Sequence, residues 1–430
     1  MEKHKLSQVH WIKDVNPNVE ANIGFTETYV DPLGVRAEFE GWVAVVNKDE
    51  SQKLTTLVDN AVNLIAELPW PKEFEKDEFK KPDFTSLEVV AFGCSGTPVG
   101  ICLPNYDDIK QKFGYKNVNL GNSYVTANPK NIRFVAEEDF DDYLKYFKES
   151  LFLVVALHEL LGHGSGKLLK EDESGELNFP SDLKDPFTNE NIAGYYKAKE
   201  TYESRFESLH SPYEECRADS VAYYLSCYDE PLKILFPGRE AEWQKILEMS
   251  WLDIVITGIK GLEYYNQEEG KWMQAHVNAS YVIMKVLIEA GEDFVKIELC
   301  KKEGKDYVIG RIDKSKIKTV GKEAIGKFLK KLHVFRSMGD YSRGKELFEY
   351  YSKVEPDMLK IREIVLAYKV PRRIELQGNL NKQTDDKIKY VGYEKTLEGV
   401  IQSFVERYDC AFDEDMYNYW KSCKDLYNPL

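Results

Sequence analysis

The most constraining stretch of this sequence places two histidines and a glutamate directly behind an apolar run. Residues 157–167 read LHELLGHGSGK, and residues 151–156 before them read LFLVVA. The apolar run predicts a helix that carries polar side chains into the protein interior, where unpaired polar groups are costly. Imidazole nitrogens and carboxylate oxygens are both zinc ligands, so a bound divalent metal is the simplest way to satisfy these groups.

The spacing of the two histidines is unusual, because His158 and His163 are five residues apart. The familiar zinc-protease pattern H-E-x-x-H separates them by four, which keeps both on one helix face. At about 100° per residue, a separation of five leaves the two side chains about 140° apart on a regular helix. We therefore predict a bulge of one extra residue, with Gly162 at the deformed position. The alternative is a helix with two unrelated histidines, one packed in the core and one near its C-terminus.

A second helix is predicted to begin at residues 211–214, which read SPYE. The serine fits the N-cap, the proline fits the first helical position, and Glu214 closes a capping box. Farther along this helix, Glu215, Ala218 and Ala222 share one face, where small side chains permit close approach of another helix. Glu215 is therefore the candidate third metal ligand.

Two further carboxylates flank this candidate ligand. Metal-bound histidines usually donate their other ring N–H to a carboxylate, and Glu214 and Asp219 are placed to accept such bonds. The alternatives are a capping role for Glu214 and a solvated surface acid for Asp219. For Glu214 the two roles are compatible.

Composition limits the class of protein and its partners. The chain contains 27 Tyr, 21 Phe and 7 Trp, which indicates a globular protein, and its formal net charge is −15. Nucleic acids and acidic membrane surfaces are therefore not expected partners, since both require basic patches. The seven cysteines are odd in number and lack C-x-x-C spacing, which favours a reducing compartment. With no signal peptide or membrane span evident, we expect a cytoplasmic protein.

The periodicity of the chain predicts an α+β, predominantly α-helical fold. Strand patterns cover residues 19–47 and 86–103, and residues 99–103 read as an edge strand. Such an edge either receives an extended peptide by strand addition or is a plain sheet edge. A hairpin is predicted at residues 294–312. The predicted helices cover residues 51–68, 150–163, 212–226, 241–266, 272–290, 322–337, 340–352, 356–367 and 394–406.

The motif HELLGHGSGK followed by EECRAD resembles the dipeptidyl peptidase III family of zinc metallopeptidases, whose mark is H-E-x-x-G-H with E-E-x-R-A-[DE]. Other matching segments, among them HWIKD, IGFTETYVDPLG, QAH and SFVERY, extend the resemblance over nearly all 430 residues. Family members usually carry a long region before the HWIKD-like segment. The chain is therefore expected to be either a fragment or a naturally short form.

The resemblance implies two lobes across a cleft. A helical zinc-binding catalytic lobe is expected at residues 46–84 and 131–370. A reduced, β-containing lobe that holds the substrate is expected at residues 1–45, 85–130 and 371–430.

The resemblance also implies the roles of individual residues. It gives His158, His163 and Glu215 as zinc ligands and Glu159 as the general base. The groups that stabilise the transition state are then Tyr29 and His276.

Substrate-holding residues follow from the same resemblance. Glu27 and Asn105 are expected to bind the N-terminal end of the substrate, and Arg372 to contact the peptide farther along. Two positions depart from the family pattern. Cys102 stands where asparagine is expected in the substrate-binding strand, and Ser280 stands where arginine is expected.

The expected function is a zinc-dependent exopeptidase, an aminopeptidase that releases dipeptides from the N-terminus of short peptides. The reaction would use a zinc-activated water and Glu159 as general base, with one Zn²⁺ per monomeric chain. One alternative is a metal-containing peptide-binding protein with weak or no hydrolysis, which Cys102 and Ser280 favour. Another is an aminopeptidase that selects less strictly for substrate length.

Overall fold

The computed structural model describes residues 2–25, 39–93, 99–103, 113–123, 129–370, 376–383 and 385–407, with the single positions 109, 414, 418 and 422. These residues fall into two compact units. The first comprises Met1–Val89 with Gly93–Val370, and the second comprises Val90–Phe92 with Pro371–Leu430. The division into lobes expected from the sequence stays a prediction.

Helices dominate the first unit. They are α1 (Glu2–Lys13), α2 (Lys48–Asp59), α3 (Ala61–Ile65), α4 (Glu137–Leu157), α5 (Tyr202–Phe206), α6 (His210–Ser226), α7 (Asp229–Leu235), α8 (Trp243–Gly261), α9 (Ala275–Glu289), α10 (Lys322–Ser337), α11 (Tyr341–Ser352) and α12 (Pro356–Ala367). In the second unit the described helix is α13 (Leu397–Arg407). The predicted class, α+β and mostly helical, is confirmed.

The strands form one larger sheet and three hairpins. They are β1 (Val19–Phe25), β2 (Phe39–Asn47), β3 (Asp83–Gly93), β4 (Gly100–Leu103), β5 (Lys116–Leu120), β6 (Tyr265–Asn266), β7 (Lys271–Trp272), β8 (Val295–Lys302), β9 (Lys305–Ile312), β10 (Asn379–Lys382) and β11 (Ile388–Val391). The order in the five-stranded sheet is β1-β2-β3-β5-β4. Strand β5 pairs parallel to β3 and antiparallel to β4. Among the described residues β4 is therefore an edge strand, as predicted for residues 99–103.

Strand β5 has no counterpart among the predicted elements, because its sequence KNVNL is mostly polar, although all five residues are buried. The polar ones are satisfied inside the protein. Lys116 Nζ lies 3.3 Å from Glu20 Oε2, and the Trp11 indole donates to the same oxygen at 3.0 Å. Hydrophobic periodicity predicts polar residues at the surface, so it cannot predict a buried ion pair of this kind.

The core of the first unit is a helical bundle. Helix α9 packs against α8 and α6, and α4 packs against α8 and α6. Fully buried aromatic side chains fill the space between helices and include Trp251, Tyr143, Tyr213, Tyr281 and Phe206. Burying one large apolar side chain stabilises a fold by about 1.5–3 kcal/mol, so these contacts stabilise the bundle that carries α4 and α6.

Several predicted helices differ from the structure in their bounds. The one expected at residues 51–68 is divided into α2 and α3, and α2 begins at Lys48. The helix expected at residue 150 begins at Glu137, where three acidic residues in its first turn favour the positive end of the helix dipole. The helix expected to be capped by Ser211 begins one residue earlier, at His210, without a side-chain cap. The capping box is therefore absent, and Glu214 is engaged elsewhere.

The second unit joins a hairpin to a helix. Asn379 of β10 donates to the carbonyl of Ser403 in α13 at 3.0 Å, and Arg407 donates to the Asn379 side chain at 2.9 Å. The Gln377 amide exchanges two hydrogen bonds with the backbone of Phe92.

Across all described residues, no helix combines the length and the apolar character that crossing a membrane requires.

Candidate metal centre

The predicted bulge is present where α4 ends. A π-helical turn, His158–Gly162, follows Leu157 directly. The His163 amide donates to the His158 carbonyl at 3.1 Å, whereas a regular α-helix would use the Glu159 carbonyl. The extra residue turns His163 toward His158, so that their ring centroids are 4.7 Å apart.

Gly162 is required for a different reason from the one predicted. It is not among the residues with positive φ, so backbone freedom is not what selects glycine. A Cβ atom at Gly162 would lie 2.8 Å from Ala218 Cα and 3.0 Å from the Ala218 carbonyl oxygen. The glycine and the small residues of α6 together let the two helices approach closely enough for their side chains to meet.

Three imidazoles converge on one oxygen of Glu215, which α6 supplies. Glu215 Oε2 lies 3.2 Å from His158 Nε2, 3.2 Å from His276 Nε2 and 3.7 Å from His163 Nε2. Despite these approaches, Oε2 has no partner with hydrogen-bond geometry among the described residues, and it is buried. Leaving a charged acceptor buried and unsatisfied costs about 1–3 kcal/mol or more, so this oxygen is suited to a cation.

The outer nitrogens of two of these rings contact carboxylates. His158 Nδ1 lies 2.7 Å from Asp219 Oδ1, and His163 Nδ1 lies 3.3 Å from Glu214 Oε1. Because an ionised carboxylate only accepts, Nδ1 carries the proton in each ring. Nε2 is then the nitrogen of each ring that can coordinate a metal, and it lies on the side of the anionic Glu215. Two imidazole nitrogens and a carboxylate oxygen facing one another fit a divalent metal between them, and this donor set is typical of zinc.

His276 presents the opposite tautomer. Gln274 caps α9, and its side-chain oxygen accepts the Val277 amide at 2.8 Å, which orients the Gln274 NH₂ group toward His276 Nδ1 at 3.1 Å. Since Nδ1 accepts there, the neutral ring carries its proton on Nε2, the nitrogen that faces Glu215.

Distance alone gives a different grouping, because ligand atoms of His158, Glu215 and His276 all lie within 4.8 Å of one another. The hydrogen-bond pattern favours His163 over His276 as the third ligand. A ring that keeps its proton on the facing nitrogen is a donor and has no lone pair there for a metal.

The charges of the site act on one another strongly. Burial alone would raise the pKa of Glu215, but the imidazoles of His276, His163 and His158 hold it well below its ordinary value. Burial alone would lower the pKa of His158, but the Asp219 carboxylate raises it well above its ordinary value. These groups form one electrostatic unit in which a positive charge is favoured at the centre.

Glu159 lies between this cluster and the edge of the sheet. Its side chain is buried, and a Cβ atom at Gly100 of β4 would lie 2.7 Å from Glu159 Oε1. Burial raises the pKa of Glu159, while His158 and His163 oppose that rise. A carboxyl group with a raised pKa beside a metal site is suited to general acid–base catalysis.

Glu214 is held by two arginines that the sequence analysis missed. Glu214 Oε2 lies 3.0 Å from Arg217 Nε and 2.8 Å from Arg336 Nε. Burial raises the pKa of Glu214, but the two guanidinium groups bring it well below its ordinary value. Arg217 lies three residues after Glu214 on one helix, a spacing that signals contact, whereas nothing in the sequence pointed to Arg336.

The remaining predicted site residues have different outcomes. Cys102 is buried on β4, opposite Asn117 in the strand register. The Ser280 hydroxyl donates to the His276 carbonyl at 2.9 Å. Four other predicted residues lie outside the described part of the chain: Tyr29, Glu27, Asn105 and Arg372.

Comparison of the sequence with known proteins gives consistent matches. Residues 1–408 match the sequence model of Peptidase family M49. Proteins named dipeptidyl peptidase 3 from Nematostella vectensis and Homo sapiens are 45% and 44% identical over 412 and 419 residues. Each of these alignments covers 95% of this chain but 56% of the relative. The chain thus spans about half the length of the curated relatives it matches.

Solved structures share the fold at low sequence identity. The structure of DPP III from Caldithrix abyssi is 18% identical, with a TM-score of 0.60 over 84% of this chain and 61% of that one. Dipeptidyl-peptidase III from a Corallococcus strain is 17% identical, with a TM-score of 0.59 over 84% of this chain and 59% of that one. At such identities the likeness shows the fold alone.

Proposed function

Since this chain belongs to Peptidase family M49, we propose that it is a zinc-dependent exopeptidase that releases dipeptides from the N-terminus of short peptides. The observation that carries the proposal is the buried Glu215 Oε2. Nε2 of His158 and Nε2 of His163 lie near this oxygen, and no described residue provides it with a hydrogen bond. The names of the curated relatives supply the dipeptide specificity.

The proposed zinc ligands are His158, His163 and Glu215, one ion per chain. Two imidazoles and a carboxylate with one open position are a donor set typical of catalytic zinc. When bound, zinc lowers the pKa of a coordinated water from about 15.7 to about 7. Asp219 and Glu214 orient the two imidazoles through their Nδ1 protons.

Glu159 is the proposed general base. It follows His158 on the π turn, and burial raises the pKa of its carboxyl group toward the operating range. Its role is to take a proton from the attacking water and return it to the leaving amine, a contribution of about 10²–10⁴ in rate.

His276 is the proposed donor to the developing oxyanion. Because the Gln274 amide donates to Nδ1, the Nε2 proton is available on the side of Glu215. One such donor typically contributes about 10²–10³ in rate. Tyr29 is proposed as a second donor.

The substrate is proposed to dock along strand β4, the last strand in the sheet order. An extended peptide added to this edge forms main-chain hydrogen bonds that do not depend on side-chain identity. Gly100, at the start of β4, lies against the Glu159 carboxylate, so a peptide on β4 passes the general base. Cys102, Glu27, Asn105 and Arg372 are the residues proposed to hold it.

A peptide-binding protein with weak hydrolysis is the second candidate function. Cys102 and Ser280 favour it, because they replace an amide and a guanidinium group that the family pattern expects. An aminopeptidase with looser length selection is a third candidate, which differs from the first in its preference for substrate length.

A fluorogenic assay separates these functions. The dipeptidyl-exopeptidase proposal predicts hydrolysis of dipeptidyl-arylamides that a chelator abolishes and Zn²⁺ restores, with little hydrolysis of single-residue arylamides. Comparable rates on both substrate types identify the looser aminopeptidase. Peptide binding by calorimetry without turnover identifies the binding protein.

A further inference from the structure

The π turn creates a problem for the backbone at the end of α4. The His163 amide donates to His158, so the Glu159 carbonyl loses the partner that a regular helix would give it. The helix ends directly after the turn, where the last carbonyls of any helix lack amide partners. These carbonyls lie in the protein interior, where each needs another donor.

A side chain from the sheet satisfies the first of them. The Asn117 side-chain NH₂ group donates to the Glu159 carbonyl at 3.1 Å. Asn117 is fully buried in the centre of β5, between β3 and β4. A hydrogen bond from this rigid position stabilises the register in which His163 does not use that carbonyl.

A side chain from the facing helix satisfies the second. Arg217 Nη2 donates to the Gly162 carbonyl at 2.6 Å, and Arg217 is also fully buried. The same guanidinium contacts Glu214, which in turn contacts His163. Arg217 therefore links the backbone of the turn to the carboxylate that orients the second imidazole.

A third donor comes from the segment after α3. Lys76 Nζ donates to the Gly164 carbonyl at 2.5 Å in a partly buried contact, although Lys76 as a whole residue is exposed. The neighbouring Glu75 accepts the Gly166 amide at 2.6 Å, and the Lys167 amide donates to the Phe74 carbonyl at 2.9 Å. The segment of residues 74–76 thus holds the chain as it leaves the turn.

We propose that Asn117, Arg217 and Lys76 form a carbonyl clamp that holds the π turn in its five-residue register and thereby positions His163 and Glu159. The three residues come from a strand, a helix and a loop, and each donates to a different carbonyl of residues 159–164. They are positioning residues that do not touch the metal or the substrate. That the clamp affects catalysis rests on the proposed zinc site. That it holds the backbone of the π turn does not depend on zinc.

The competing state is a regular α-helix. In it the His163 amide returns to the Glu159 carbonyl, and His163 turns away from His158 by about 100°, the rotation of one residue. Both registers satisfy the His163 amide. The clamp decides between them, because only the π register leaves the Glu159 carbonyl to Asn117, while Arg217 and Lys76 hold the carbonyls that follow.

Hydrogen exchange on metal-free protein tests the clamp without reference to zinc. Asn117→Leu removes one donor at similar volume, and Asn119→Leu is the matched control, since Asn119 is equally buried on β5 but donates to Ser86. We expect amides of residues 158–166 to exchange about 10-fold faster in Asn117→Leu and Arg217→Met than in the control, relative to α9. Equal exchange in all three variants overturns the proposal.

Lys76→Met guards against variants that do not fold, because Lys76 is an exposed residue, unlike the fully buried Asn117 and Arg217. It is expected to speed exchange at residues 162–166, and Lys76→Arg, which keeps the donor, is expected to restore the wild-type rate. Failure of arginine to rescue, with equal rates in both variants, counts against the clamp.

Cobalt binding then tests the link to the site. We expect Asn117→Leu and Arg217→Met to weaken Co²⁺ binding about 10–100-fold and to alter its visible absorption, while Asn119→Leu resembles wild type. If wild type binds no Co²⁺ or Zn²⁺, the proposed function fails, and hydrogen exchange still decides on the clamp. If wild type binds metal and the variants bind it equally well, the positioning role is wrong.

Discussion

The molecule contains two π-helical turns in its described part, and they differ in what surrounds them. The first, His158–Gly162, ends α4, and the second, Ile317–Gly321, leads into α10. Both finish with a glycine that cannot carry a side chain. A Cβ atom would lie 2.8 Å from Ala218 Cα at Gly162 and 2.6 Å from Phe294 Cζ at Gly321. The same backbone device is therefore used twice with the same close packing.

The side chains separate the two turns. All five residues of the first turn are buried, including His158 and Glu159, and carboxylates from α6 contact His158 and the following His163. In the second turn only Ile317 and Gly321 are buried, and Lys318 and Thr319 are exposed. A π turn alone is thus no indicator of function. It becomes one when the extra residue brings polar groups into register with partners on another element.

Replacing the general base is expected to give the largest effect. Glu159→Gln should lower hydrolysis of a dipeptidyl-arylamide by about 10²–10⁴-fold, because glutamine cannot accept the proton. Metal content should be unchanged, since Glu159 is not a ligand. The matched change in the second turn, Lys318→Gln, should leave the rate at the wild-type level. A Glu159→Gln variant with wild-type kcat would show that the base lies elsewhere.

Alanine at the two glycines compares the turns directly. Gly162→Ala meets the backbone of Ala218, so α6 must shift, and zinc affinity should fall about 10–100-fold. Gly321→Ala meets the rings of Phe294 and Trp251, which should cost about 1–3 kcal/mol of unfolding free energy by overpacking. Zinc affinity of this second variant should be unchanged. Chelator competition measures the zinc affinity of each variant, and urea unfolding measures its free energy of unfolding. Equal zinc affinities in Gly162→Ala and Gly321→Ala would show that the first turn does not position the metal ligands.

Changing the cap of α9 tests the tautomer assigned to His276. Gln274→Glu keeps the acceptor for Val277 but turns the neighbour of His276 Nδ1 into an acceptor, which moves the ring proton away from Nε2. If the ring stays neutral, the proposed oxyanion donor is lost, and we expect kcat to fall about 10²-fold with KM little changed. Zinc content should persist. An unchanged kcat would mean that His276 does not donate from Nε2.

The smallest effect is expected at the edge strand. Cys102→Asn restores the amide that the family pattern expects and should strengthen binding of short peptides by about 1 kcal/mol, roughly fivefold in Kd. Cys227→Ser, at a buried thiol on another element, serves as a control for thiol loss. Calorimetric titration of a short peptide into Glu159→Gln protein measures the change. Weaker binding would exclude a substrate-binding role for this position.

How much of this arrangement could be predicted depends on what sets each contact. The five-residue histidine spacing implied the π turn, because helical geometry allows no other way to bring His158 and His163 together. The small residues around Glu215 likewise revealed the close face of α6. These are local signals, and they sufficed for the ligands that we propose.

The contacts that were missed are tertiary or compete with a local pattern. The SPYE segment looked like a capping box, but Arg217, Arg336 and His163 draw the Glu214 side chain away from the helix start. Strand β5 looked unlike a strand because Asn117 and Lys116 find buried partners far away in sequence. No periodicity encodes partners that only folding brings together.

The metal content of the purified protein shows whether Glu215 and the two histidines bind a zinc ion. Elemental analysis by mass spectrometry of wild-type protein and of Glu215→Gln, each prepared without added metal, compares the carboxylate with its uncharged isostere. The account predicts about one zinc per wild-type chain and a large loss in Glu215→Gln, because removing a ligand typically costs far more affinity than the 10–100-fold seen for outer partners. Wild-type protein without a transition metal, or equal zinc in both proteins, would contradict it.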